Sequence, residues 1–209
     1  MLLNVIKAFL IGICASLPLG PIAIFALQKS LTQGRRAGFL TGLGAATVDT
    51  IFAMIAVFAL AAVESWFETH RATIVLGGGL LLVVLGATIT FSNPFKSFSK
   101  DEGPSYSAKD YLKAVLMGLS NPGAIFVLFA LMAFFDVSVE AHDFRVAPII
   151  LGVSAGAIAF WYGFSWFFGS FKKSIRLSNI LWMNRASGVL IMIIGLAILA
   201  DGAMRLVFS

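Results

Sequence analysis

The chain has 209 residues, of which 59% are hydrophobic and 12% are charged, with a net charge of +5. Soluble domains are typically about 45–50% apolar and about 25% charged. This composition, with a mean hydropathy of +0.96, therefore excludes a soluble enzyme, a nucleic-acid-binding domain and a disordered chain.

Six apolar segments of helical length fill the chain and predict an all-α integral membrane protein with six transmembrane helices. The first runs from about Val5 to Leu27, the second from Ala37 to Val63 and the third from Thr73 to Phe91. A polar stretch with Pro94, Gly103 and Pro104 follows and reads as a loop. The fourth segment runs from about Tyr111 to Phe135, the fifth from Val146 to Phe168 and the sixth from Arg185 to Val207. A signal peptide is the competing reading of the first segment, because Ala15-Ser16 follows an apolar run. Its basic start is only Lys7, however, and the apolar pattern continues past Pro21.

The basic residues predict orientation. Lys29, Arg35 and Arg36 follow the first span, Lys96, Lys100, Lys109 and Lys113 the third, and Lys172, Lys173, Arg176 and Arg185 the fifth, which is 11 of the 15. The positive-inside rule puts these odd-numbered connectors in the cytoplasm and both termini outside. The basic excess is loop bias, not a nucleic-acid surface, so the lipid bilayer is the expected partner and nucleic acid is not.

An internal repeat links the halves. Pro21-Ile22-Ala23-Ile24-Phe25 matches Pro122-Gly123-Ala124-Ile125-Phe126, Gly44-Ala45 matches Gly156-Ala157, and Gly79 with Gly86 matches Gly188 with Gly195. Residues 1–91 and 111–209 are then two three-helix repeats joined by a cytoplasmic linker, 92–110. An odd number of spans per repeat makes the second insert upside down. Inverted repeats are an architecture of secondary transporters that work by alternating access, with the substrate at the midplane.

The first span carries Pro18-Leu19-Gly20-Pro21 near its middle, and the fourth carries Asn121-Pro122-Gly123. Proline removes a backbone donor and frees a carbonyl one turn earlier. A packing kink is the bland outcome. Paired interruptions in corresponding helices point instead to a binding site, where exposed amides hold a carboxylate and freed carbonyls an ammonium or cation. Pro18, Gly20, Pro21, Asn121, Pro122 and Gly123 are the candidate substrate-binding residues.

Asp49 is the only acid deep within a span, about 12 residues or 18 Å into the second. A charge there costs about 2.5–3.5 kcal/mol on insertion scales unless it is paired, protonated or in contact with water. Asp49 is the candidate proton-coupling residue or ammonium anchor; a neutral acid bonded to a neighbouring helix is the alternative. Trp161, Tyr162 and Trp166 could form an aromatic wall or a cation–π face; core or interfacial packing is the more ordinary reading of all three. Gly38-x-x-x-Gly42 and Gly152-x-x-x-Gly156 read as tight helix packing inside each half and not as ligand contacts, and the glycine-rich faces are compatible with a homodimer without requiring one. Cys14 is the lone cysteine, and His70 and His142 lie 72 positions apart, so no metal cluster or cofactor is expected. No nucleophile–base set or phosphate loop marks an enzyme.

Pro18-x-Gly20-Pro21, Gly34-Arg35-Arg36-Ala37-Gly38, Gly42-x-Gly44 leading to Asp49, and Asn121-Pro122 together resemble the LysE/RhtB translocator superfamily of bacterial amino-acid exporters. The resemblance implies six helices in the inner membrane, export of amino acids or similar small metabolites, and coupling to the proton gradient. Many such exporters have Asn-Pro-Lys where this chain has Asn121-Pro122-Gly123, and those for basic amino acids carry a further acid nearby, where this chain has apolar residues such as Val127. A neutral amino acid is therefore the better fit. A related branch that moves reducing equivalents needs paired cysteines, and Cys14 stands alone. A cation or metal-ion exporter of the same architecture and a non-transporting membrane scaffold are the rival readings.

Overall fold

A computed structural model of the chain describes residues 2–17, 21–62, 70–91, 108–121, 123–137, 146–170 and 177–207. Among them the regular structure is all helical: α1 (Leu2–Ala15), α2 (Pro21–Thr32), α3 (Arg35–Ala62), α4 (Arg71–Phe91), α5 (Ala108–Leu119), α6 (Gly123–Phe134), α7 (Val146–Phe168) and α8 (Leu177–Val207). Long apolar runs adopt helices because helices satisfy their own backbone hydrogen bonds, which lipid cannot do.

Stretches of α3, α4, α7 and α8 are long and apolar enough to cross a membrane, and α5 with α6, bent by 71°, would make a fifth crossing. α1 and α2 are shorter apolar helices of 14 and 12 residues. The first expected span, Val5 to Leu27, is thus divided between two helices, and the fourth likewise between α5 and α6. The sixth helix begins at Leu177, eight residues before the expected Arg185. Its polar first turns around Ser178-Asn179 carry no hydropathy signal.

α6 is the central element. Its apolar residues face all directions, and Val127, Leu128, Ala130, Leu131, Met132 and Ala133 are all buried. Around it pack α1, α3 and α4, with a lighter contact from α8. A second cluster joins α2, α3 and α7 through Ala26, Leu27, Ala45, Ala157 and Trp161. The most extensive helix pair is α4 with α8, followed by α1 with α7, α3 with α7 and α3 with α5. Glycine permits the α4–α8 approach: a methyl group at Gly86 would stand 2.6 Å from the Gly188 carbonyl oxygen, and one at Gly195 would stand 2.9 Å from that of Gly79. The other faces of this pair expose Leu80, Val84, Leu190, Ile193 and Leu196, a broad apolar surface of the kind lipid covers.

Candidate functional site

Asp49 lies near the middle of α3, fourteen residues after Arg35 and thirteen before Ala62. Its side chain is half-buried and lines a pocket of about 40 Å³. Ser16, buried just past the end of α1, donates its hydroxyl to Asp49 Oδ2 at 2.5 Å. Among the described residues no lysine or arginine forms an ion pair with Asp49.

Helix ends surround this acid. Ala15, Ser16 and Leu17 bring the C-terminal end of α1, and Ile22 and Ala23 the first turn of α2. Gly118 and Asn121 come from the end of α5, and Ala124 from the first turn of α6. The partial negative charges of two helix C-termini and the partial positive charges of two N-termini therefore meet in one pocket. Such a pocket can take an ammonium on one side and a carboxylate on the other. Trp161 of α7 closes it. Its bulk is accommodated by Gly42, where a methyl group would stand 2.7 Å from the Trp161 Cβ. The ring is 3% exposed, and its indole Nε1 is buried without a hydrogen-bond partner among the described residues. Buried donors are ordinarily paired.

A second, larger cavity of about 640 Å³ adjoins the first and shares Ile22, Asn121 and Ala124 with it. It extends along α5 from Lys113 to Asn121, eight residues or about 12 Å. Leu85 and Ile89 of α4, Leu116 and Met117 of α5 and Val127 of α6 make its walls mostly apolar. Asn121 stands between the two spaces, and its backbone carbonyl accepts the N–H of Ala124 at 3.2 Å. A methyl group at Gly123 would stand 3.3 Å from Asn121 Oδ1, so glycine leaves room for the amide.

The structure thus brings together Asp49, Asn121 and the first turn of α2, which Pro21 opens. Gly123 lines the larger cavity. Pro18, Gly20 and Pro122 lie outside the described residues. Of the expected aromatic wall, only Trp161 reaches the site; Tyr162 and Trp166 are exposed, against Phe39 and Arg35 respectively. The glycine motifs pack helices closely, but mostly between residues 1–91 and 111–209 and not inside each half: Gly38 lies on Ser30 of its own half, whereas Gly42 meets Trp161, Gly152 meets Ala8 and Gly156 meets Phe9.

Sequence reasoning missed Ser16, because one serine in an apolar run carries no distinguishing signal. It also missed a charged cluster beyond the larger cavity. Lys29 of α2 and Asp110 of α5 form an ion pair at 2.9 Å, with side chains 5% and 11% exposed. The Lys29 ammonium lies 5.5 Å and the Lys113 ammonium 4.7 Å from the centre of the Phe25 ring, within reach of a cation–π attraction. The Tyr111 and Thr47 hydroxyls meet at 2.9 Å beside them.

No solved structure matches the chain. The family of LysE type translocators matches it over residues 13–202. This all-helical membrane protein, with its acid held among four helix ends, belongs to the LysE type translocator family.

Proposed function

We propose that the chain is a proton-coupled secondary exporter of amino acids, neutral rather than basic, that works by alternating access in the bacterial inner membrane. The observation that carries this reading is the convergence of Asp49, Ser16, Asn121 and the four helix ends on one pocket.

In this reading α1 with α2 and α5 with α6 are the first and fourth of six spans, interrupted at Pro18–Pro21 and at Pro122. The spans form two inverted repeats, 1–91 and 111–209, joined by the linker 92–110. The helix packing supports this. Exchanging the halves turns α1 against α7 into α5 against α3, and both contacts occur. The pairs α4 with α8 and α3 with α7 map onto themselves, as helices about a twofold axis do. The repeat-related glycines agree: Gly156 lies on Phe9 and Ile13, and Gly44 on Tyr111 and Ala114, each set one span away in the other half. The basic connectors put Lys29 and Lys113 on the cytoplasmic side and both termini outside.

An unpaired carboxylate near the membrane centre is costly, so Asp49 is stable with a proton or with a cation beside it. A substrate ammonium and a proton can therefore replace one another at the same oxygen atoms. Substrate arriving from the cytoplasm takes the place of the proton, and a proton arriving from outside displaces the substrate after the site has reopened. Ser16 holds the carboxylate in position. The first turns of α2 and α6, the Asn121 amide and the Trp161 indole N–H supply donors for the substrate carboxylate. Pro18, Gly20, Pro21, Pro122 and Gly123 keep the backbone at the two breaks open to substrate.

Efflux of labelled amino acids from loaded proteoliposomes under an imposed proton gradient tests the reading. A neutral amino acid should leave faster with the gradient than without it. Asp49→Asn should lower gradient-driven efflux by a factor of 100 or more while leaving folding intact. Full gradient-dependent efflux by that variant would end the coupling role of Asp49. No efflux of any amino acid by the folded wild-type protein would end the amino-acid reading.

A further inference from the structure

We infer that the 640 Å³ cavity receives the side chain of the substrate, selecting amino acids with bulky apolar side chains, and that Lys113 at its cytoplasmic end receives the substrate carboxylate on arrival. This rests on the exporter reading and names the substrate class of the same site.

Three observations carry it. The first is continuity: Ile22, Asn121 and Ala124 line both the cavity and the Asp49 pocket, so a molecule in one touches the threshold of the other. The second is size and lining. The Asp49 pocket, at about 40 Å³, has room for a head group and not for a whole amino acid. The cavity has the volume of a small-molecule site, and its walls of Leu85, Ile89, Leu116, Met117 and Val127 offer a polar or charged side chain little to bond.

The third is charge. Lys113 lines the cavity, exposed, two turns of α5 away from Asn121. The Lys113 ammonium, 4.7 Å from the centre of the Phe25 ring, attracts a carboxylate and repels a second cationic group, which disfavours lysine and arginine as substrates. Lys113 and Asn121 stand eight residues, about 12 Å, apart along α5, farther than the ammonium and carboxylate of one small amino acid. The lysine therefore acts first, and the ammonium reaches Asp49 after the side chain has settled in the cavity.

The test is uptake of labelled leucine into inside-out vesicles bearing the full chain, with unlabelled competitors. Leucine, methionine and phenylalanine should compete at least tenfold more strongly than serine, lysine or glutamate. Leucinamide, which lacks the carboxylate charge, should compete about tenfold less well than leucine. Lys113→Gln should raise half-saturation for leucine about tenfold, leave the maximal rate within twofold and narrow the difference between leucine and leucinamide. Lys113→Arg should keep that difference. Equal competition by serine and lysine would overturn the apolar selection. A leucine-to-leucinamide ratio unchanged by Lys113→Gln would overturn the role of Lys113, while the exporter reading stands if leucine still moves. Should Lys113→Gln fail to fold, equal competition by leucine and leucinamide in the wild-type protein would still overturn it.

Discussion

The α4–α8 pair and the cluster of α1, α2, α5 and α6 use the same residue vocabulary to opposite ends. In α4–α8, glycines sit inside two uninterrupted helices and let the backbones close to contact, with Gly79 beside Gly195 and Gly86 beside Gly188. The Thr90 side chain packs against Gly188, and exposed apolar residues such as Leu80 of α4 and Ile193 of α8 complete the outer surfaces. In the other cluster the helices stop near the middle of the molecule, and their ends surround a carboxylate. Continuous helices spend their hydrogen bonds internally and make a rigid wall. Interrupted helices leave donors and acceptors over, and those leftovers make a site. The contrast teaches that in an apolar chain the breaks in regular structure, more than the side chains, supply polarity.

Substitutions can break or sharpen this contrast. The largest effect belongs to the interrupted region. Asp110→Ala removes the carboxylate that pairs with the buried Lys29 ammonium, at a cost of about 3–5 kcal/mol. The variant should unfold at markedly lower temperature in detergent. The double variant Lys29→Ala with Asp110→Ala should recover part of the loss; a double variant no more stable than Asp110→Ala would show that packing, not the ion pair, sets the cost.

Ser16→Ala comes next. It removes the hydroxyl that Asp49 accepts, an interaction worth about 1.5–3 kcal/mol for a charged acceptor. Gradient-driven efflux per folded molecule should fall roughly tenfold; a normal rate per folded molecule would mean that Ser16 is only a packing neighbour. Gly86→Leu should have the mildest effect on transport, costing about 1–3 kcal/mol of stability by overpacking against Gly188 and Met192. It differs from Ser16→Ala in its signature: a lower Tm with unchanged efflux per folded molecule. If it altered coupling instead, the α4–α8 wall would be part of the moving machinery.

Much of this was legible in the sequence. Asp49 stood out because an acid within an apolar run demands an explanation, and Asn121 because it adjoins a proline at the matching point of the second half. The glycine motifs announced close packing but not its place, because Gly42, Gly152 and Gly156 meet helices of the other half and not of their own. Other features were hidden for physical reasons. Lys29 and Asp110 lie 81 positions apart, and each reads as an ordinary connector charge until the helices bring them together. Ser16 looks like any small residue. Trp161 and Tyr162 are neighbours of similar chemistry, yet one is buried in the site and the other exposed, because successive residues on a helix point about 100° apart and only packing decides which faces in. The early start of α8 at Leu177 escaped because hydropathy registers the membrane and not the helix.

The unequal size of the two adjoining spaces has an evolutionary consequence. In the exporter proposed above, the smaller space, near 40 Å³, takes the groups that every amino acid shares, and the larger, near 640 Å³, takes the part in which they differ. On that proposal, mutations in the walls at Leu85, Ile89 or Leu116 would retune which cargo is accepted without touching the acid at Asp49. A lineage of such exporters would diversify its repertoire while inheriting its energy source unchanged.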